Sequence, residues 1–263
     1  RGVARRAGGV RRGPERAHAG SPRGVRVGGA GMASGAGPGH KLRYARAIAG
    51  GLAWLALRQG DPVGMVLGRD QTVDASLVRP RAGRERLTAL AHRLHEAEPR
   101  GRCPWGPLLS TVAPRLPRRS LLVLVSDLLD PGTTEDDADE VLDELLRGLS
   151  QLRARNHDVV VVQTLHRDEL DFPWADRGML RFEDLRGLRA PREGPGRSLR
   201  DAYLRRLNEH LDGLSARCEA EGLLLLRMAT DTPVQDAFVT LLGRLAGEPV
   251  LDESPELPAR GRA

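Results

Sequence analysis

This chain of 263 residues is poor in cysteine, in aromatic residues and in long apolar runs. Its two cysteines, Cys103 and Cys218, are too few for a disulfide framework and do not make a zinc site by themselves. No run approaches the ~20 apolar residues that a membrane-spanning helix needs, and the N-terminus lacks the apolar centre of a signal peptide. These absences predict a cytoplasmic protein, in a reducing compartment, with no membrane span.

Phosphate-binding signatures are missing as well. The sequence contains neither G-x-x-x-x-G-K-[ST] nor a G-x-G-x-x-G that follows a predicted strand. Both motifs are glycine-rich loops whose backbone approaches the phosphates of a nucleotide. We therefore expect that the protein has no nucleotide cofactor.

The net charge of +6 belongs to the first 39 residues. They hold eight arginines, twelve glycines and one acidic residue, Glu15, whereas the rest of the chain has a net charge of −1. Lysine occurs once, at Lys41, against forty arginines, which is typical of a GC-rich coding sequence. The basic character is thus a property of the leader.

Residues 1–39 show no apolar periodicity and no aromatic residue, so we expect a disordered leader. An arginine- and glycine-rich arm can bind nucleic acid. Because this one has no aromatic side chains to stack on bases, we expect no nucleic-acid partner. The sequence begins with Arg1 rather than Met, and we hypothesise that residues 1–39 are a miscalled or out-of-frame reading of the true N-terminal part.

One segment indicates both a fold class and a site. Residues 120–127 read SLLVLVSD, an apolar run that ends in Ser126 and Asp127. Such a run is typical of a strand buried on both faces of a parallel sheet. Open α/β folds bind ligands at the carboxyl ends of such strands, so Asp127 is the candidate functional residue.

Predicted helices and strands alternate along the remaining chain. This alternation predicts an α/β fold with a doubly wound, mostly parallel sheet flanked by helices, over residues 40–248. Residues 249–263 are predicted to be a disordered tail. The predicted helices are an apolar stripe from Leu42 to Ala56 and residues 84–97, 106–116, 139–154, 198–221 and 233–246; the predicted strands are residues 63–67, 73–78, 120–127, 159–165 and 223–228.

Five segments of the chain, taken in order, resemble the family named domain of unknown function 58, whose members are similar to von Willebrand factor A-like domains with a Rossmann-like sheet. The segments are KLRYARAIAGGLAWLALRQGDPVGMVL (41–67), RRSLLVLVSDLLD (118–130), HDVVVVQTLHRDEL (157–170), LRFEDL (180–185) and ATDTPVQDAF (229–238). The resemblance implies a first buried strand before residue 40. The leader offers only Val25 and Val27 for it, so we expect the first strand to be absent.

The resemblance also implies a metal-ion-dependent adhesion site. Such a site holds Mg²⁺ with a D-x-S-x-S loop, a threonine and an aspartate that ends the central strand, which corresponds to Asp127. The loop ligands fall on Val27, Gly29 and Gly31, which have no side-chain oxygen, and the threonine position falls near Cys103, whose thiol suits Mg²⁺ poorly. We therefore expect a degenerate site with Asp127 as its remnant metal ligand. Mg²⁺ would bind only if residues missing from this chain complete the site.

Two classes of function follow. The resemblance implies a non-enzymatic adaptor or scaffold that binds another protein, with a MoxR-type AAA+ ATPase as the implied partner. Ser126, Asp127 and Cys103 are the candidate partner-binding residues. The alternative is a Rossmann-like hydrolase that uses Asp127 as nucleophile or base, for which the sequence shows no second catalytic group. A helix cap is a third role open to Asp127.

Overall fold

The computed structural model describes residues 23–28, 40–69, 72–73, 78–97, 103, 105–129, 135–182 and 192–247. The strands of its main sheet are β1 (Arg23–Gly28), β2 (Val63–Arg69), β3 (Thr72–Val73), β4 (Val78–Arg81), β5 (Leu121–Ser126), β6 (Asp158–Leu165) and β9 (Leu224–Ala229). They have the order β3-β2-β1-β5-β6-β9, and β4 also pairs with β2. Strands β1, β2, β5, β6 and β9 are parallel to one another, whereas β3 and β4 run antiparallel to β2.

Helices cover both faces of the sheet. They are α1 (Lys41–Arg58), α2 (Arg84–Glu96), α3 (Trp105–Val112), α4 (Glu135–Ala154), α5 (Arg167–Asp171), α6 (Gly196–Ala220) and α7 (Val234–Ala246). A 3-10 turn (Ala113–Arg115) follows α3, and a separate antiparallel pair, β7 (Met179–Phe182) with β8 (Arg192–Pro195), precedes α6. Within the described ranges, no helix is long and apolar enough to span a membrane.

Successive residues of β5 face opposite sides, as expected for a strand buried on both faces. Val123 and Val125 join the cluster formed by α1, α2 and α7. Leu122 and Leu124 join the cluster formed by α3, α4 and the second half of α6. This arrangement confirms the predicted α/β fold with a mostly parallel, doubly wound sheet.

The expectation that the first strand is absent is wrong. Residues Arg23–Gly28 form β1, which pairs in parallel with β2 on one side and with β5 on the other. The position of a strand inside a sheet is set by backbone hydrogen bonds, which arginine and glycine can form as well as valine can. A prediction from apolar residues therefore misses this central strand, because the segment contains few of them. The remaining residues of the expected leader and the expected tail lie outside the described ranges.

Candidate functional site

The functional site predicted at Asp127 lies where the parallel strands end. Asp127 follows β5, and His166 joins the end of β6 to α5. Helix α1 follows β1 in the chain and begins at Lys41, over the same edge of the sheet. Three consecutive parallel strands thus bring residues from distant parts of the sequence to one place, as open α/β folds do at their carboxyl edge.

A buried ion-pair cluster occupies this edge. Nζ of Lys41 lies 3.0 Å from Oδ2 of Asp127 and 2.6 Å from Oε1 of Glu169. Lys41 is only 1% exposed and Asp127 only 4% exposed, whereas the Glu169 side chain is 18% exposed. Both carboxylates therefore share one ammonium, and water has little access to two of the three groups.

Lys41 stays charged in this environment. Burial alone would lower its pKa, because removal from water disfavours the ammonium. The carboxylates of Asp127 and Glu169 outweigh the burial through their charges and hydrogen bonds, and the pKa of Lys41 is raised above its ordinary value. The cluster is accordingly centred on a charged ammonium.

Glu169 is held in place by the start of α5. Its Oε2 accepts a hydrogen bond of 2.8 Å from the backbone N–H of His166, and Nδ1 of His166 accepts one of 3.1 Å from the N–H of Asp168. These reciprocal bonds form a capping box, which satisfies N–H groups that have no partner within the helix. The capping leaves Oε1 of Glu169 directed to Lys41.

The turn after β5 is fixed by its own side chains and by α6. The N–H of Leu128 donates to Oγ of Ser126 at 3.3 Å, and the carbonyl of Leu128 lies 2.8 Å from Nε2 of His210. Leu128 has a φ of 52°, a left-handed conformation that is uncommon for leucine and is supported here by these contacts. Asp127 is thus positioned by both of its neighbours.

A hydrogen-bond chain continues beneath Asp127. Nε2 of Gln163 donates to the backbone carbonyl of Asp127 at 3.0 Å, and Oε1 of Gln163 accepts from Nε of Arg227 at 2.9 Å. Arg227 also donates to the carbonyl of Leu211 at 3.0 Å and to Oγ of Ser215 at 3.1 Å. This chain joins β5, β6, β9 and α6, so the position of Asp127 depends on all four elements.

The residues predicted to contact a partner are all buried. Ser126 and Asp127 lie at the predicted edge and are 3% and 4% exposed. Cys103 is also 3% exposed and packs in the cluster of α3 and α4, together with Trp105 and Leu128. These side chains support the edge and do not form its outer surface.

The outer surface of this edge, which we call the edge surface, consists of exposed and half-buried polar residues. The edge surface includes His40 and His166, and burial together with the charges of Arg46, Lys41 and His166 lowers the pKa of His40. The other members are Asp168, Asp231, Thr232 and Asp236, which lie at the starts of α5 and α7. The edge surface therefore carries three carboxylates, and the exposed Arg43 and Arg167 lie in the first turns of α1 and α5 at the same edge.

The donor groups at this edge do not fit a metal ion. Oδ2 of Asp127 is bound to Lys41, and Oδ1 lies 3.5 Å from the Ser126 hydroxyl, which donates to it. Across the part of the chain that the structure describes, no group of three or more His, Cys, Asp and Glu residues could hold a metal. Gly29 and Gly31 lie outside the described residues, and glycine has no side-chain ligand to offer.

Sequence reasoning found Asp127 but missed Lys41, Glu169, Gln163 and Arg227. Lys41 and Glu169 are 128 residues apart, and no local pattern connects them. One signal was nevertheless present in the sequence, because Lys41 is the single lysine among 41 basic residues. A lysine in a chain that otherwise uses only arginine indicates a position where the two side chains are not interchangeable.

The family comparison matches this part of the chain. The family model described as "Protein of unknown function DUF58" covers residues 29–211, which include Lys41, Asp127, Gln163 and Glu169. The chain belongs to the DUF58 family.

Two solved structures of low sequence identity are similar to this chain. The PilB minor pilin from Streptococcus sanguinis is 9% identical with a TM-score of 0.51, over 86% of this chain and 61% of that chain. An aerotolerance-related membrane protein from Bacteroides fragilis, solved with multiple mutations to serine, is 13% identical with a TM-score of 0.49, over 86% of this chain and 100% of that chain. No curated protein matches this DUF58 chain. The similarity to the pilin supports the fold assignment alone.

Proposed function

We propose that this DUF58 protein is a non-enzymatic, cytoplasmic adaptor that binds another protein through the edge surface. The resemblance described above implies a MoxR-type AAA+ ATPase as the partner, and we include that ATPase in the proposal. The observation that carries the proposal is the buried Lys41–Asp127–Glu169 cluster. In this cluster Asp127 and Glu169 are already bonded to Lys41, so they are not available as catalytic groups. The same contacts hold the ends of β5, α1 and α5 in a fixed arrangement.

The alternative of a hydrolase has less support from the geometry. A nucleophile or general base must reach the substrate, and it needs a lone pair that is not already bound. Asp127 is 4% exposed, its Oδ2 is bound to Lys41, and its Oδ1 accepts from the hydroxyl of Ser126 at 3.5 Å. Asp127 therefore has the surroundings of a structural carboxylate.

The carboxylates of the edge surface indicate the chemistry of the partner. Asp168, Asp231 and Asp236 place carboxylates around the edge, and the Asp168 side chain is 47% exposed. Charges at the rim of an interface mainly accelerate association with a surface of opposite sign. We infer that the ATPase presents a basic segment to the edge surface, and that the adaptor interface is electrostatic.

The proposal is tested by measuring binding to a MoxR-type ATPase by biolayer interferometry. We expect the double variant Asp168→Asn, Asp231→Asn to bind roughly fivefold more weakly, chiefly through slower association at low salt. The matched control is the double variant Glu219→Gln, Glu221→Gln, which removes two exposed carboxylates at the end of α6, at the opposite edge of the sheet. We expect this control to bind as the unmodified protein does.

Two results would contradict the proposal. One is the absence of any binding to the ATPase by the unmodified protein. The other is an equal loss of binding in the control variant and the edge variant, which would indicate a general charge effect. Turnover of an ester, amide or phosphoester that Asp127→Asn abolishes would instead support the hydrolase.

A further inference from the structure

The only lysine of the chain is the most deeply buried basic residue among the side chains that the structure describes. Lys41 is 1% exposed, and among the residues whose side chains the structure describes no arginine is buried. Arginine carries a planar guanidinium with five donors, whereas lysine carries a compact ammonium on a flexible stem. The site at the start of α1 therefore holds the smaller and more nearly spherical of the two cations.

Asp127 and Glu169, which contact this ammonium, belong to different parts of the fold, the end of β5 and the start of α5. Asp127 is held at the end of β5 by the Ser126–Leu128 turn, and Glu169 is held by the capping box of α5. Their oxygens, Oδ2 and Oε1, lie 3.0 Å and 2.6 Å from the same nitrogen. Two oxygen ligands that approach one point from fixed supports resemble half of a site for a hard cation.

We propose that Lys41 supplies the cation of this site, so that an ammonium stands between Asp127 and Glu169 in place of a divalent metal ion. The carboxyl edge is then complete without metal, and Lys41 excludes metal from it. This inference does not depend on the partner proposed above, because its test requires no partner.

Exclusion follows from charge as well as from space. A divalent ion bound to either carboxylate would lie within a few ångströms of a buried ammonium, and like charges repel strongly where water is scarce. Removal of the Lys41 side chain should allow a metal ion to bind, because it leaves a cavity between the two carboxylates. The Ser126–Leu128 turn and the capping box of α5 would still hold Asp127 and Glu169 in place. Asp127 is buried and Glu169 is half-buried, and without the ammonium between them their like charges favour the uptake of a proton or of another cation.

The first test measures Mn²⁺ binding by electron paramagnetic resonance, in which bound Mn²⁺ loses the signal of the free ion. We expect no Mn²⁺ binding by the unmodified protein and one bound equivalent in Lys41→Ala. The double variant Lys41→Ala, Asp127→Asn should lose that binding again. The matched control is Arg43→Ala, which removes an exposed cation from the same turn of α1 without freeing a carboxylate, and it should bind none.

Either of two outcomes overturns the proposal. One is Mn²⁺ binding by the unmodified protein that Asp127→Asn abolishes, since the site would then accept metal despite Lys41. The other is a folded Lys41→Ala variant, as judged by circular dichroism, that binds no Mn²⁺.

A second measurement decides the matter if Lys41→Ala fails to fold. Lysine labelled with ¹⁵N at its side-chain nitrogen gives a single resonance, because the chain contains one lysine. We expect this resonance to be unchanged by excess Mg²⁺ and to shift in Asp127→Asn. A shift on Mg²⁺ addition that EDTA reverses, or no response to Asp127→Asn, would overturn the proposal.

Discussion

Nζ of Lys41 and Oδ2 of Asp127 lie 3.0 Å apart, although 86 residues separate them in the sequence. Their ion pair holds the first residue of α1 against the end of β5. Glu169 extends the contact to α5, so three elements that meet at the carboxyl edge share one buried charge cluster. The shape of the proposed binding edge therefore depends on the balance of charge within the cluster.

We expect Lys41→Met to lower the free energy of unfolding by about 3–5 kcal/mol, the range seen when one partner of a buried ion pair is removed. Methionine keeps the length of the stem but removes the ammonium from between the buried Asp127 and the half-buried Glu169. The free energy is measured by urea denaturation. Arg43→Met, on the same turn of α1 but exposed, should change it by less than about 0.5 kcal/mol.

A double-mutant cycle separates the ion pair from the packing of the side chain. Asp127→Asn in the Lys41→Met background should cost less than Asp127→Asn alone, because the carboxylate that it removes is already unpaired. Strictly additive effects of the two substitutions would show that Lys41 and Asp127 do not interact energetically.

Gln163 offers a second test of how Asp127 is positioned. Its side chain is fully buried and joins the carbonyl of Asp127 to Nε of Arg227. We expect Gln163→Leu to cost about 1–3 kcal/mol for each group left without a partner. Gln163→Glu keeps an acceptor for Arg227 but loses the donor to Asp127, so it should restore part of the loss in urea denaturation. Equal stability of both variants and the unmodified protein would contradict the proposed role of this hydrogen-bond chain.

The two tyrosines should remain un-ionised well into the alkaline range. Burial, aided by the charges of Asp231 and Asp236, raises the pKa of Tyr44 to about 12. Burial, aided by Glu169, also raises the pKa of Tyr203. Because the folded state holds these protons more tightly, the stability that they contribute is complete below the unfolded pKa of about 10 and is lost as the pH rises beyond it.

The measurement is the phenolate absorbance at 295 nm. Native protein should show little phenolate at a pH where the protein unfolded in guanidinium chloride is half ionised. The free energy of unfolding should fall between the unfolded pKa of about 10 and the native pKa of about 12. A native titration that coincides with the unfolded one would show that neither hydroxyl is buried in solution.

The sheet and its candidate residue were largely predictable because the signals are local. The apolar run before Ser126 identified β5, and the polar residues that follow identified the edge at Asp127. Strand β1 was missed because only Val25 and Val27 of its six residues are apolar. Its place between β2 and β5 depends on backbone pairing with segments that come later in the chain.

The composition of the site was not predictable for a related reason. The local sequence predicts only a helix-capping role for Glu169. For Lys41 it predicts only an ordinary basic residue at the start of a helix. The two acquire a common role only when the strand order brings the ends of β1, β5 and β6 together. Local patterns therefore reveal which segments form the edge, whereas the partners within it are set by the topology.

Two adjacent glycines of α1 provide the last prediction. A Cβ atom added at Gly51 would overlap the ring of Phe238 on α7. A Cβ atom added at Gly50 would meet only Cδ1 of Leu94, at an ordinary contact distance of 3.7 Å. The two positions share the same helix and the same gain in helix propensity on substitution by alanine, so they differ only in what the new methyl group meets.

We expect Gly50→Ala to raise the free energy of unfolding by up to about 1 kcal/mol, the difference in helix propensity between glycine and alanine. Gly51→Ala should instead lower it by about 1–3 kcal/mol, because the methyl group would force α1 and α7 apart or displace the Phe238 ring. Urea denaturation of the two variants measures the expected rise and the expected fall in the free energy of unfolding. Phe238→Leu in the Gly51→Ala background should recover part of the loss, because the smaller side chain makes room for the methyl group. Equal stabilisation by both alanines would contradict the close approach of the two helices at Gly51.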